Sequence, residues 1–136
     1  MSADGVTVLI ADDDKLVLAT YKYSFERHGY HVLVAENGNA ALAHLEKATV
    51  DVVFLDILMP QKEGLETLLE IKQRFPGLPV YVMSGGAGRS KQDILAMAKK
   101  FGATDVIRKP VTPQVLIARI EEALRTRAQR GSVKRA

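Results

Sequence analysis

Apolar positions in the 136-residue chain follow two rhythms that take turns. Residues 6–11, 30–35, 52–55, 79–83 and 104–108 form short runs, mostly continuous and rich in β-branched and aromatic side chains, which predict strands buried on both faces. Between them apolar residues recur at helical spacing. Residues 15–28 place Leu18, Tyr21 and Phe25 on one stripe and end at Gly29, a good residue just past a helix C-terminus. The Asn37-Gly38 turn leads into a helix built from Ala40, Ala41, Leu42 and Leu45. Residues 63–74 carry Leu65, Leu68, Leu69 and Ile71 and are stopped by Pro76 and Pro79. Residues 91–101 carry Ile94, Met97, Ala98 and Phe101, with Ser90 and Asp93 at capping-box spacing and Gly102 closing the helix. Thr112-Pro113 reads as N-cap and first helical residue of a last helix with Leu116, Ile117, Ile120 and Leu124.

Five apolar strands, each followed by a helix, imply an α/β domain whose parallel sheet is covered on both faces. In such sheets ligands gather outside the carboxyl ends of the strands, where the strand order reverses. The residues that end the strands therefore matter most. They are Asp12, Asp13 and Asp14 after the first, Asp56 after the third, Ser84 after the fourth and Lys109-Pro110 after the fifth. Taken singly, Asp56 needs no function, since an aspartate that opens a loop and accepts a backbone hydrogen bond is ordinary. If the strand order is 2-1-3-4-5, however, these residues converge on one cleft.

Convergence changes the energetics. Two unit charges about 4 Å apart at an effective dielectric near 20 repel by roughly 4 kcal/mol, so Asp12, Asp13 and Asp56 together would store on the order of 10 kcal/mol. That is comparable with the whole stability of a domain, roughly 5 to 15 kcal/mol. A bare cluster would take up protons or a cation. Mg²⁺ suits a site with few carboxylates and room for waters and a phosphate. Lys109 would add a fixed positive charge.

Composition narrows the setting. With 47% hydrophobic residues the chain can bury a core as one domain, and zero cysteines exclude disulfides and a thiol nucleophile and fit a cytoplasmic protein. Neither a signal peptide nor a membrane-spanning run is expected. The net charge of +3 is unevenly placed: residues 119–136 hold six basic and two acidic residues (+4), which leaves 13 basic and 14 acidic (−1) in residues 1–118. A basic tail on a near-neutral body argues against direct nucleic-acid binding by the domain. The tail is expected to be a solvated, frayed helix end with cations near its negative pole.

The segments LIADDD (residues 9–14), LDILMPQKEGLE (55–66), VMSGG (82–86) and IRKP (107–110) resemble the CheY-like receiver domains of two-component response regulators, over about residues 6–124. The resemblance implies a flavodoxin-like (βα)5 doubly wound sandwich with a five-stranded parallel sheet of order 2-1-3-4-5. It implies a receiver over residues 1–124 and a basic tail or linker start over 125–136. Asp56 would be the phosphoacceptor. Asp12 and Asp13 would hold Mg²⁺, Asp13 directly and Asp12 through water, with Asp56 and the backbone carbonyl of Leu58 as further ligands. Ser84 matches the switch hydroxyl and Lys109 the phosphoryl-pairing cation, with a cis Lys109-Pro110 bond. Asp14 stays outside the site as a helix N-cap. The implied partners are a sensor histidine kinase or histidine phosphotransferase and a downstream effector protein, with no membrane and a monomer or weak dimer. The function is a signalling switch and not an enzyme, apart from catalysing its own phosphorylation and dephosphorylation. The switched surface would be the last two helices with the fifth strand.

The chain departs from the family's pattern at Glu63, where Asp is frequent, and at Val106, where Tyr or Phe is frequent, so that position supplies no aromatic partner for Ser84. Only twelve residues follow Leu124, too few for an output domain, so the alternative is a receiver cut from a longer regulator with a DNA-binding or enzymatic output. Other readings fit less well. An aspartyl-phosphate hydrolase would need a second Asp at Leu58. The GGAGRSK loop lacks the order of a phosphate-binding P-loop. His28, His31 and His44 lie on separate elements. The resemblance places positions Leu58 and Gly86 at the approach of hydrolytic water, and neither offers a polar group to orient it, which predicts slow loss of the phosphoryl group.

Overall fold

A computed structural model describes residues 5–57, 63–85 and 91–135. Its strands are β1 (Thr7–Ala11), β2 (His31–Ala35), β3 (Val52–Asp56), β4 (Val80–Ser84) and β5 (Asp105–Arg108). They alternate with the helices α1 (Lys15–Arg27), α2 (Gly38–Lys47), α3 (Glu63–Arg74), α4 (Lys91–Lys100) and α5 (Pro113–Arg135). All strand pairs are parallel, and the sheet order is β2-β1-β3-β4-β5, as the family resemblance implies.

The strands are apolar along their length because alternate side chains enter two different cores. Leu9, Val53, Leu55, Val80 and Val82 pack with Ala41 and Leu45 of α2, Leu68 and Ile71 of α3 and Ala98 of α4. Val8, Ile10, Phe54, Tyr81, Met83 and Ile107 pack with Leu18, Tyr21 and Phe25 of α1 and Leu116 and Ile120 of α5. A ladder of rings, Tyr21 to Phe25 to Phe54 to Tyr81, crosses this second core at centroid spacings of 5.9, 6.0 and 5.6 Å.

Local signals act largely as expected. Asp14 caps α1, its side chain accepting from the Leu16 and Val17 amides, and Gly29 takes a positive φ of 98° just past the helix. Asn37-Gly38 is not a free turn: Asn37 is the N-cap, bonded by the Ala40 amide, and Gly38 is the first residue of α2. Leu69, placed on the buried stripe by spacing, is exposed, because Leu68 and Ile71 already fill the core side of α3. Ser90 lies outside the described residues, as does the side chain of Asp93, and with them the expected capping box.

The last helix runs on through the tail, expected to be a solvated helix end. Helix α5 continues past residue 124 to Arg135, and Arg127 donates to Asp51 Oδ1 at 2.8 Å. Asp51 Oδ2 in turn accepts the Thr7 amide at 2.8 Å. Residues 125–135 are thus a continuation of α5, tied to the loop that enters β3. No helix among the described residues is long and apolar enough to cross a membrane.

Candidate functional site

The carboxyl ends of β1, β3, β4 and β5 are held by the last rungs of the sheet. The Asp12 amide donates to Ala35 O (3.0 Å), the Ile57 amide to Met83 O (2.9 Å) and the Lys109 amide to Ser84 O (2.8 Å). Side-chain parity then selects a face. Asp12 follows Val8 and Ile10, Asp56 follows Val52 and Phe54, and Lys109 follows Ile107, so all three belong to the side covered by α1 and α5. Ser84 has the parity of Val80 and Val82, whose side chains join the opposite core.

Asp12 and Asp56 are almost fully buried at 1% and 2% relative exposure, and Asp13 is exposed. Carboxylate oxygens of the three lie within 4.8 Å of one another. The Lys109 ammonium joins two of them, donating to Asp12 Oδ2 at 2.9 Å and to Asp56 Oδ2 at 3.1 Å. The other oxygen of Asp12 accepts the Asp14 amide at 2.9 Å. The acidic cluster is therefore partly neutralised from within the chain, which the sequence-based estimate of about 10 kcal/mol of stored repulsion left out. Burial pushes the Lys109 ammonium down, but the Asp12 hydrogen bond and the charges of Asp56 and Asp12 together hold it above the usual lysine value.

The donor set fits a hard divalent ion: carboxylate oxygens from two strand ends, two buried and one open to solvent. Leu58, expected to add a backbone carbonyl, and Gly86 lie outside the described residues. Ser84 is the last residue of β4 and buried, one position beyond Met83, which pairs with Asp56 across the sheet. Val106 packs into the core under α2, α3 and α4, on the same side as Val82, its partner in register. The Lys109-Pro110 bond is cis.

Three residues shape the site in ways that the sequence reading did not find. A Cβ at Gly85 would stand 3.1 Å from Lys109 Cδ and 3.2 Å from its Cβ, so the lysine shaft lies across a surface that only glycine leaves free. A Cβ at Gly64 would meet the Ile57 backbone at 2.8 Å, so glycine lets α3 approach the chain just after Asp56. Tyr21, read only as a core position, donates its hydroxyl to Val111 O at 2.8 Å, two residues past Lys109. Its one legible signal was a polar tip on an otherwise apolar stripe.

The sequence model of the response regulator receiver domain matches residues 8–121. The transcriptional regulatory protein CpxR of Klebsiella pneumoniae is 36% identical over 118 residues, which are 87% of this chain and 49% of that protein. A CheY-like receiver domain from Methanospirillum hungatei superposes with a TM-score of 0.83 at 30% identity, covering 92% of this chain and 98% of that one. NtrX from Brucella abortus, solved with ADP, superposes with a TM-score of 0.84 at 30% identity, covering 98% of this chain and 30% of that one. The chain spans about half the length of CpxR and a smaller share of NtrX. A match over most of the chain, on a fold with the expected strand order and an acidic cluster at its strand ends, makes this protein a member of the response regulator receiver domain family.

Proposed function

We propose that Asp56 accepts a phosphoryl group and that the chain is a signalling switch set by that modification. The observation that carries this reading is the Lys109 ammonium standing 3.1 Å from Asp56 and 2.9 Å from Asp12, beside the open carboxylate of Asp13. Phosphoryl transfer asks little covalent work of a protein and depends on position and charge neutralisation. One Asp56 oxygen attacks phosphorus to form an acyl phosphate. The bond from phosphorus to the donor, a histidine nitrogen or a small acyl phosphate, breaks and its electron pair leaves with the donor. Lys109 pairs with the transferred oxygens; Asp13, Asp56 and the Leu58 carbonyl, with Asp12 through water, would hold Mg²⁺. Bound Mg²⁺ would offset negative charge on those same oxygens.

The modified Asp56 carries more charge and more acceptors than a carboxylate. The Ser84 hydroxyl, at the end of the neighbouring strand, would turn from the opposite side of the sheet toward it. Val106 has no ring to follow Ser84, so the change is passed on by packing in the core under α4. The readout is the face of α4, β5 and α5, where Asp105 is paired with Lys99 at 3.2 Å and with Arg119 at 3.7 Å. These pairs are half-exposed, so breaking them requires little energy, which suits a surface that changes partners. A histidine kinase or phosphotransferase supplies the group, an effector protein reads the face, and the setting is the cytoplasm. Residues 1–124 form the receiver and 125–136 the start of a connection. A second reading, a receiver within a longer regulator, is favoured by the matched regulators, of which this chain covers 49% or less in CpxR and NtrX.

The test is incubation with Mg²⁺ and a small acyl-phosphate donor, followed by intact mass. One phosphoryl group is expected on the native chain and none on Asp56→Asn. An unmodified native chain, or equal labelling of the variant, refutes the proposal.

A further inference from the structure

We infer that Tyr21 is a positioning residue for Lys109, acting through the Val111 carbonyl, an inference that rests on the role proposed for Asp56. The Lys109 backbone is held on one side by its own amide, bonded to Ser84 O at the edge of the sheet. The chain then turns through Pro110 and Val111 before Thr112 O accepts from Val115 and Leu116 in the first turn of α5. Within that turn the Tyr21 hydroxyl grips the backbone at 2.8 Å from Val111 O.

The contact joins residues 90 apart, so it fixes α1 to the turn that presents the lysine. Tyr21 is itself rigid. It is 5% exposed, and its ring stacks on Phe25 at 5.9 Å. The lysine shaft is backed by Gly85, which supplies surface and no side chain of its own to clamp it. The ammonium must nonetheless meet two buried carboxylates at once, at 2.9 and 3.1 Å. Anchoring the turn from α1 limits how far Lys109 can swing away from Asp56. The site also acts on Tyr21: burial raises its phenol above the ordinary value, Lys109 lowers it, and Asp12 and Asp56 raise it.

Tyr21→Phe keeps the ring and its stacking and removes only the hydroxyl. Labelling of Asp56 by a small acyl-phosphate donor in saturating Mg²⁺ is expected to slow about tenfold, less than the roughly 10²-fold that a 1 Å misplacement of a reacting group can cost. The same substitution is then made in Lys109→Ala. If Tyr21 acts by placing the ammonium, Tyr21→Phe produces no further slowing there, although any change in melting temperature is the same in both backgrounds. Equal slowing in the two backgrounds means a general structural role and overturns the inference. So does unchanged labelling in the native background. A native chain that takes no label fails differently: it removes the role of Asp56 first, and the inference with it.

Discussion

Replacing Lys109 with methionine isolates the charge balance of the site. The Lys109 side chain is 24% exposed, whereas the side chains of Asp12 and Asp56 are 1% and 3% exposed, so little solvent reaches the carboxylates. At an effective dielectric near 20, attraction at about 3 Å is worth roughly 5 kcal/mol per contact before desolvation is subtracted. Two carboxylate oxygens within 4.8 Å repel by at least about 3 kcal/mol on the same scale. Removing one partner of a buried ion pair typically destabilises by about 3–5 kcal/mol, because the other charge stays buried. For a domain of this size about 1 kcal/mol moves the melting temperature by roughly 3–4 °C. Lys109→Met is therefore expected to melt about 9–20 °C below the native chain in chelator at neutral pH. Mg²⁺ should recover more of that loss than it adds to the native chain, by binding the folded state alone. Asp56→Asn relieves the repulsion with Asp12 and Asp13 but also weakens one Lys109 contact and leaves the Asp12 contact in place, so the effects nearly offset and it should melt near the native temperature. Thermal denaturation followed by circular dichroism, with and without Mg²⁺, checks all three. If Lys109→Met melts with the native chain while Asp56→Asn melts well below it, the charge argument is wrong.

Asp13→Asn should shrink the Mg²⁺-induced rise in melting temperature and leave the metal-free chain as stable or more so; an undiminished Mg²⁺ response removes Asp13 from the ligand set. Leu58→Asn, which supplies a polar group to hold water, should shorten the lifetime of the phosphorylated chain in excess Mg²⁺; decay at the native rate, followed by intact mass, rules out water positioning at residue 58 as the limit. Burial raises the phenols of Tyr21, Tyr30 and Tyr81 above the ordinary 10.0. The unfolded chain then loses those protons first, so this stability is fully present below pH 10.0 and falls as pH rises through the folded values. Urea midpoints should drop across that range and drop less steeply in Tyr81→Phe; equal slopes would show that the Tyr81 phenol does not contribute.

Much of the fold was legible because its signals are local. A strand buried on both faces must be apolar at every position, as residues 52–55 are, and a helix with one buried face must repeat every three to four residues, as Leu18, Tyr21 and Phe25 do. The acids and the lysine at strand ends were legible for the same reason: each interrupts an apolar run just where the chain leaves the core. Strand order came from family resemblance and not from periodicity, since every pairing of five similar strands satisfies the same pattern. Which side chains touch depends on that order and on register. Lys109 meets Asp12 across 97 residues and Asp56 across 53, and Tyr21 meets Val111 across 90, separations at which hydrophobic spacing carries no information. The close approaches at Gly64 and Gly85 were hidden likewise, because a glycine in sequence does not reveal which backbone or side chain occupies the space of its missing Cβ. The continuation of α5 is the converse case. Residues 125–135 have too weak an apolar stripe to announce where the helix stops, and the contact of Arg127 with Asp51, 76 residues apart, depends on where the fold brings the start of β3.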